Sequence, residues 1–281
     1  MADYSVENLT SQRMRIYKDL KTSFRPAGLL PVPYVSQTVQ GALRFQNDCG
    51  PACAAMLLRA YLPNNTTSVD DLFLRVSTAD EYLNFGQLNS ILTGEGLEVL
   101  RMANLKMPQV FELLRGGRPI IALINYGVLN KAGVTEKKTF NGPHFVVVVG
   151  MDCSAIYTHD PYYSQDNGEA VPYPFGLFYE AWRRASEQFS NPAFAGLIPV
   201  RSLYPEENAR YPSLYRIRLK AAMDLYKGPG SNNEKAPGLL KNTKVDVCGE
   251  SADHHWGLVR PWPGHWIDLT NKNIEKVLPG A

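Results

Sequence analysis

The run Pro143-His144-Phe145-Val146-Val147-Val148-Val149-Gly150 constrains this chain most. Four consecutive valines disfavour helix and suit a pleated backbone. Because no polar residue alternates with them, the strand is expected to be buried on both faces and central to a sheet. Gly142-Pro143 supplies the turn that precedes it. His144 stands at the mouth of this strand, where it can face a cleft while the valines behind it hold the backbone rigid.

Two more positions combine with His144. In Ala155-Ile156-Tyr157-Thr158-His159-Asp160-Pro161 a short strand runs into Asp-Pro, and proline ends the ladder so that the Asp160 carboxylate sits at the strand end. Two antiparallel strands joined by a turn near residues 152–154 bring His144 and Asp160 together. The third position is Cys49, in Gln46-Asn47-Asp48-Cys49-Gly50-Pro51-Ala52-Cys53-Ala54-Ala55-Met56, where an irregular segment becomes an apolar helix. Unpaired N–H groups and the helix dipole at that point favour a thiolate. A lone cysteine on an apolar helix is most often a buried core residue, and a lone His or Asp is usually structural. As a set, the three supply the nucleophile, base and orienting carboxylate of a thiol hydrolase.

With these motifs the chain resembles the bacteriocin-processing, double-glycine leader peptidases and their peptidase-like relatives of papain-like fold. The resemblance rests on Asp48-Cys49-Gly50-Pro51, on a His opening a valine-rich strand, and on His-Asp-Pro sixteen residues later, and it spans roughly residues 30 to 200. It implies Cys49 as nucleophile, His144 as general base and Asp160 as the residue that orients it. Val32-Pro33-Tyr34-Val35-Ser36-Gln37 resembles the strand that precedes the catalytic helix in that family, where a Gln supplies the oxyanion donor. There the Gln lies six residues before the Cys, a position held here by Leu43, so either Gln37 reaches in from a longer loop or Gln46 substitutes for it. Gln37 is favoured because it closes the strand motif and Gln46 lies very near Cys49.

The rest of the composition narrows the function classes. A net charge of +2 over 281 residues, without a dense Lys/Arg patch interleaved with aromatics, gives no argument for nucleic acid. Phe145 to Val149 is the strongest apolar run and is far too short to span a bilayer. The N-terminus lacks a basic start and an apolar stretch, so a cytoplasmic protein, or one exported without a classical signal peptide, is expected. The four cysteines make no disulfide framework: Cys49 and Cys53 share a helix face, Cys153 lies in a turn and Cys248 in the C-terminal part. No zinc spacing is present, and His254-His255 reads as an exposed loop, so neither metal nor cofactor is expected.

Helices are expected at 51–61, 69–76, 86–92, 109–115 and 175–185, and strands at 119–125, 144–151 and 155–158. Asn125-Tyr126-Gly127 is a candidate cleft wall or a plain strand-end turn, and the polar loop 128–142 a candidate cover for the site. Beyond a Pro-rich stretch the chain turns into short alternating strands around Tyr215, Met223, Lys244, Trp256 and Trp266, broken by turns. Their order, with Gly-Pro-Gly-Ser after the second strand and a closing Trp-Ile-Asp-Leu, resembles the bacterial SH3-type domain. Trp256 and Trp266 are expected in its core and Trp262 at its surface.

The expected architecture is an α+β papain-like cysteine peptidase fold followed by a small all-β SH3-like barrel. Its parts are an N-terminal arm (1–29), the peptidase domain (30–203), a linker (204–213) and the barrel (214–281). The expected activity is cleavage of a peptide or peptidoglycan amide bond, with the barrel aiding contact with substrate or cell wall. A non-catalytic peptide-binding module of the same fold and a delivered effector or toxin peptidase are the alternatives.

Overall fold

The computed structural model describes residues 29–38, 45–136, 139–152, 154–188, 192–205, 213–260 and 265–277. Residues 1–28 of the expected arm, most of the expected linker, Leu43, Cys153 and Trp262 lie outside them.

The valine run forms β3 (Pro143–Met151), antiparallel to β2 (Ile120–Asn125) on one side and to β4 (Ala155–His159) on the other. Val146 to Val149 are completely buried, as a strand covered on both faces requires. The α1 helix (Cys49–Tyr61) packs on one face of β3, and α6 (Phe175–Gln188) lies against β2. Phe178 and Trp182, one helical turn apart on α6, are buried edge to face at 5.8 Å, which bears out a packing role for this helix.

Three further helices cover α1 and the sheet. In α2 (Val69–Leu74) the Ser68 hydroxyl accepts from the Asp71 N–H, and in α3 (Phe85–Gly94) Asn84 and Gln87 form a reciprocal capping box. The α4 helix (Met107–Arg115) begins with Pro108 in its first turn, where a missing N–H costs nothing. The segment after β2 differs from the expected loop: Asn125 accepts from the Gly127 N–H and starts a short helix, α5 (Tyr126–Lys131).

Several short strands were not anticipated. They are β1 (Val99–Met102), β5 (Val171–Pro174), β6 (Gly196–Pro199), β9 (Lys235–Leu239) and β13 (Ile274–Val277). Each is only four or five residues long, and β6 sits in the Pro-rich stretch. Such segments carry too few residues for a periodic signal, and pairing with an existing edge makes them strands.

The remaining strands are β7 (Tyr215–Leu219), β8 (Met223–Tyr226), β10 (Lys244–Glu250), β11 (Trp256–Val259) and β12 (Trp266–Asp268). Among the described residues all thirteen join one antiparallel sheet in the order β13-β7-β10-β11-β12-β8-β9-β1-β6-β2-β3-β4-β5. The C-terminal strands connect to the rest through β9 and β1, paired at Met102 and Leu239. Arg216 reinforces the seam, bonding both Glu98 beside β1 and Asp246 on β10.

The C-terminal strands surround Ile217, Leu219, Leu225, Val245, Val247, Val259 and Ile267, all completely buried. Trp256 and Trp266 are half-buried rather than in this core, and the Trp256 ring meets Tyr226 edge-on at 5.3 Å. Aliphatic side chains alone fill the narrow space between such short strands, leaving the indoles at its margin. Among the described residues no helix is long and apolar enough to cross a membrane.

Candidate active site

Cys49 is the first residue of α1 and is nearly buried. Pro51 carries no N–H, and the Asp48 side chain, at the N-cap position, makes no capping hydrogen bond. The N–H groups of Cys49 and Gly50 are therefore not consumed by the helix's own cap. Asp48 is fully buried, and among the described residues neither carboxylate oxygen has a hydrogen-bond partner. Burial first, and then the charges of Asp70 and Asp80, push its carboxyl up to about 7.

The pairing of β3 with β4 brings His144 and Asp160 together, with His144 Nε2 at 2.7 Å from Asp160 Oδ1. Both side chains are almost fully buried. Burial alone would drive the imidazole toward neutrality. The Asp160 charge and hydrogen bond, with a smaller contribution from nearby Cys49, outweigh it and raise the imidazole to about 9. Burial likewise pushes the Asp160 carboxyl up, yet His144, Tyr173 and the Tyr162 N–H together hold it below its ordinary value. With Nε2 committed to Asp160, Nδ1 is the nitrogen left for Cys49.

Three rings enclose the imidazole. Tyr126 lies 4.8 Å away, Tyr162 5.7 Å and Phe140 6.3 Å, centroid to centroid. Tyr126 packs on the imidazole but is completely buried and does not line the cleft. Cys49, His144, Phe140 and Tyr162 border a cavity of about 400 Å³, whose remaining walls are Gln37, Thr38, Phe45, Gln46, Asn47 and Tyr82. That size accommodates a few residues of an extended chain.

Gln37 reaches this cavity through a set of bonds to the loop after β4. Its N–H donates to Pro161 O at 2.8 Å, Ser36 Oγ donates to Tyr163 O, and Tyr34 Oη donates to the carbonyls of Asp160 and Tyr163. A Cβ on Gly168 would collide with Asp160 O and Tyr34 Oη, so only glycine permits this packing. The Gln37 amide is largely buried and donates one long bond, 3.4 Å, to Gln46 O. Gln46 itself is exposed.

The sequence reading missed the aromatic lining of Phe45, Tyr82 and Tyr162, and two residues that hold the site in place. Tyr173 on β5 donates its hydroxyl to Asp160 Oδ2 at 2.5 Å. Asp80, in the loop before α3, accepts from the N–H groups of Gln46 and Asn47 and from Asn47 Nδ2, all within 3.1 Å. Neither sits in a motif; only strand pairing and loop folding bring them in. His159, although next to Asp160, is structural: its Nδ1 accepts from the Ala170 N–H and its Nε2 therefore donates to Val32 O at 2.7 Å. Among the described residues no group of three His, Cys, Asp or Glu side chains could hold a metal ion.

The model of the Peptidase_C39 like family matches residues 29–190, more than half of the chain and the whole of the site just described. The chain belongs to this family. As a member of the Peptidase_C39 like family it is a cysteine peptidase. Among solved structures it is similar to a protein assigned as a C39-like peptidase from Bacillus anthracis, at 15% identity and a TM-score of 0.45, covering 62% of this chain and 97% of that one. It is also similar to a double glycine motif protease from an AMS/PCAT transporter, solved with the leader peptide, at 19% identity and a TM-score of 0.38, covering 62% and 94%. No curated protein matches the chain.

Proposed function

We propose that the chain cleaves peptide amide bonds through a Cys49–His144–Asp160 triad. The observation that carries this is the 2.7 Å bond from buried His144 to buried Asp160, with Cys49 and His144 lining the same cavity. His144 takes the thiol proton and Asp160 stabilises the imidazolium. The thiolate attacks the substrate carbonyl carbon, forming a C–S bond as the carbonyl π electrons move onto oxygen. Collapse of the tetrahedral intermediate breaks the C–N bond, and His144 gives its proton to the departing amine. Water, deprotonated by His144, then hydrolyses the thioester.

The oxyanion is held by the Cys49 N–H and Gln37 Nε2, each donor worth about 3 kcal/mol in sites of this kind. Gln37 suits this better than Gln46: its amide is buried at the cavity and keeps an N–H uncommitted, whereas the Gln46 side chain is exposed.

In this reading the C-terminal strands are a small SH3-type barrel, supported by the order β13-β7-β10-β11-β12 and by the pairing of first strand β7 with last strand β13. The substrate is then a peptide or the peptide stem of peptidoglycan, which the barrel holds near the cleft. Incubation with an irreversible thiol-directed peptide probe, followed by mapping of the labelled residue, tests the chemistry. Labelling at Cys49 that His144→Ala abolishes and Asp160→Ala slows by orders of magnitude is the expected result. Equal, slow labelling of Cys49 and Cys248 would sink it. For the substrate, release of soluble peptide from purified cell wall that is lost on removing residues 214–281, while a small soluble amide is still cut, is expected.

A further inference from the structure

A second cavity, of about 920 Å³, opens at the seam between the peptidase half and the C-terminal strands. Its cations include Arg101 from β1, Arg218 from β7 and Lys244 from β10. Arg101 stands on the seam itself. Its carbonyl accepts from the Leu240 N–H and from Thr243 Oγ1, so its backbone is tied to the far side. Its guanidinium is half-buried and, among the described residues, makes no ion pair, and its buried Nε meets no hydrogen-bond partner. Withdrawing a guanidinium from water without a counter-charge is unfavourable, and an anion in the cavity would compensate it.

The neighbouring strands repeat the pattern. Arg218 and Lys244 stand directly opposite each other across the β7–β10 ladder, an unfavourable like-charge pair. Glu275, opposite Arg218 on its other side, is instead ion-paired with Lys220. Two residues earlier on the same strand face, Arg216 is neutralised by both Asp246 and Glu98. Glu98, the cavity's one acidic wall residue, is thereby already engaged, and Arg75, its remaining cation, is held by Glu95. Three cations from three strands thus converge on one cavity, and among the described residues none of them is ion-paired.

We propose that this cavity binds a multiply charged oxyanion, a phosphate ester or a di- or tricarboxylate, gripped by Arg101 and flanked by Arg218 and Lys244. The planar guanidinium fork suits either oxyanion. This site is separate from the cleft of Cys49, with which it shares no lining residue.

Isothermal titration of the full chain with tripolyphosphate and, separately, with citrate tests the proposal, with acetate as the singly charged control. Saturable one-to-one binding of at least one polyanion is expected, absent with acetate, and the tighter of the two assigns the ligand class. Arg101→Gln should weaken it about tenfold, and Arg218→Ser with Lys244→Ser by a similar factor. Arg115→Gln, outside the cavity, should leave it unchanged. If Arg101→Gln does not fold, the exposed Arg218 and Lys244 substitutions carry the test alone. No saturable binding of either polyanion, or equal binding by wild type and these variants, overturns the proposal.

Discussion

The Tyr173 hydroxyl donates to Asp160 Oδ2 at 2.5 Å while Oδ1 of the same carboxylate faces His144 Nε2 at 2.7 Å. Both oxygens are therefore engaged, and the Tyr162 N–H adds a further bond to Oδ1. A carboxylate held from both sides cannot rotate away from the imidazole, which makes Tyr173 a positioning residue for His144.

Tyr173→Phe should keep the fold and cost about 1.5–3 kcal/mol of stability, the usual worth of a hydrogen bond to a charged group. Because the lost bond helps keep Asp160 ionised, the acid limb of the kcat/KM profile should move to higher pH. A variant that loses stability but keeps the wild-type pH profile would assign Tyr173 to packing alone.

The His144–Asp160 pair also sets a window of stability. His144 is raised from 6.5 to about 9, so its contribution is full below pH 6.5 and disappears as the pH rises through 9. Asp160 is held low, so its contribution is full above its ordinary value of 3.8 and is lost as the pH falls below it. Thermal denaturation of wild type against His144→Ala should show the largest difference between these limits. A difference that stays constant from pH 4 to beyond pH 9 would contradict the ion pair.

Asp48 works in the opposite sense at neutral pH. Its folded carboxyl holds a proton up to about 7 against an ordinary 3.8, so the stability it contributes is present below 3.8 and lost as the pH rises through 7. Asp48→Asn escapes that loss. The variant's melting temperature relative to wild type should therefore climb between about pH 4 and pH 7 and level off above. A flat difference would show that the carboxyl ionises freely where it sits.

Asp80 is exposed, and its three bonds hold the loop that leads into Cys49 and carries the carbonyl met by Gln37. Exposed hydrogen bonds contribute little to stability, so Asp80→Ala should cost about 1 kcal/mol or less. Its effect on turnover should be larger, about tenfold or more in kcat, because small displacements of reacting groups are expensive. Asp80→Asn, which keeps one acceptor, should recover part of the loss. Equal kcat for wild type and Asp80→Ala would remove this loop from the proposed mechanism.

Some of this protein was determined by its sequence alone. Four adjacent valines favour a doubly buried strand, because their branching suits a pleated backbone better than a helix and no polar face remains to be solvated. The apolar run after Cys49 specifies a helix that begins at the thiol, and the short Ala155–His159 strand ending at Asp-Pro brings its carboxylate back beside His144. These are local preferences, and residues close in the chain express them. Tertiary structure alone decided the rest. Asp80 lies 33 and 34 residues from the loop it holds. Tyr173 meets Asp160 because β5 pairs with β4, and Arg101 is stranded at the cationic seam because β1 pairs with β9. Strands of four or five residues carry little information about their partners. Ladder pairing and burial select those partners, and only the folded chain specifies which side chains then converge.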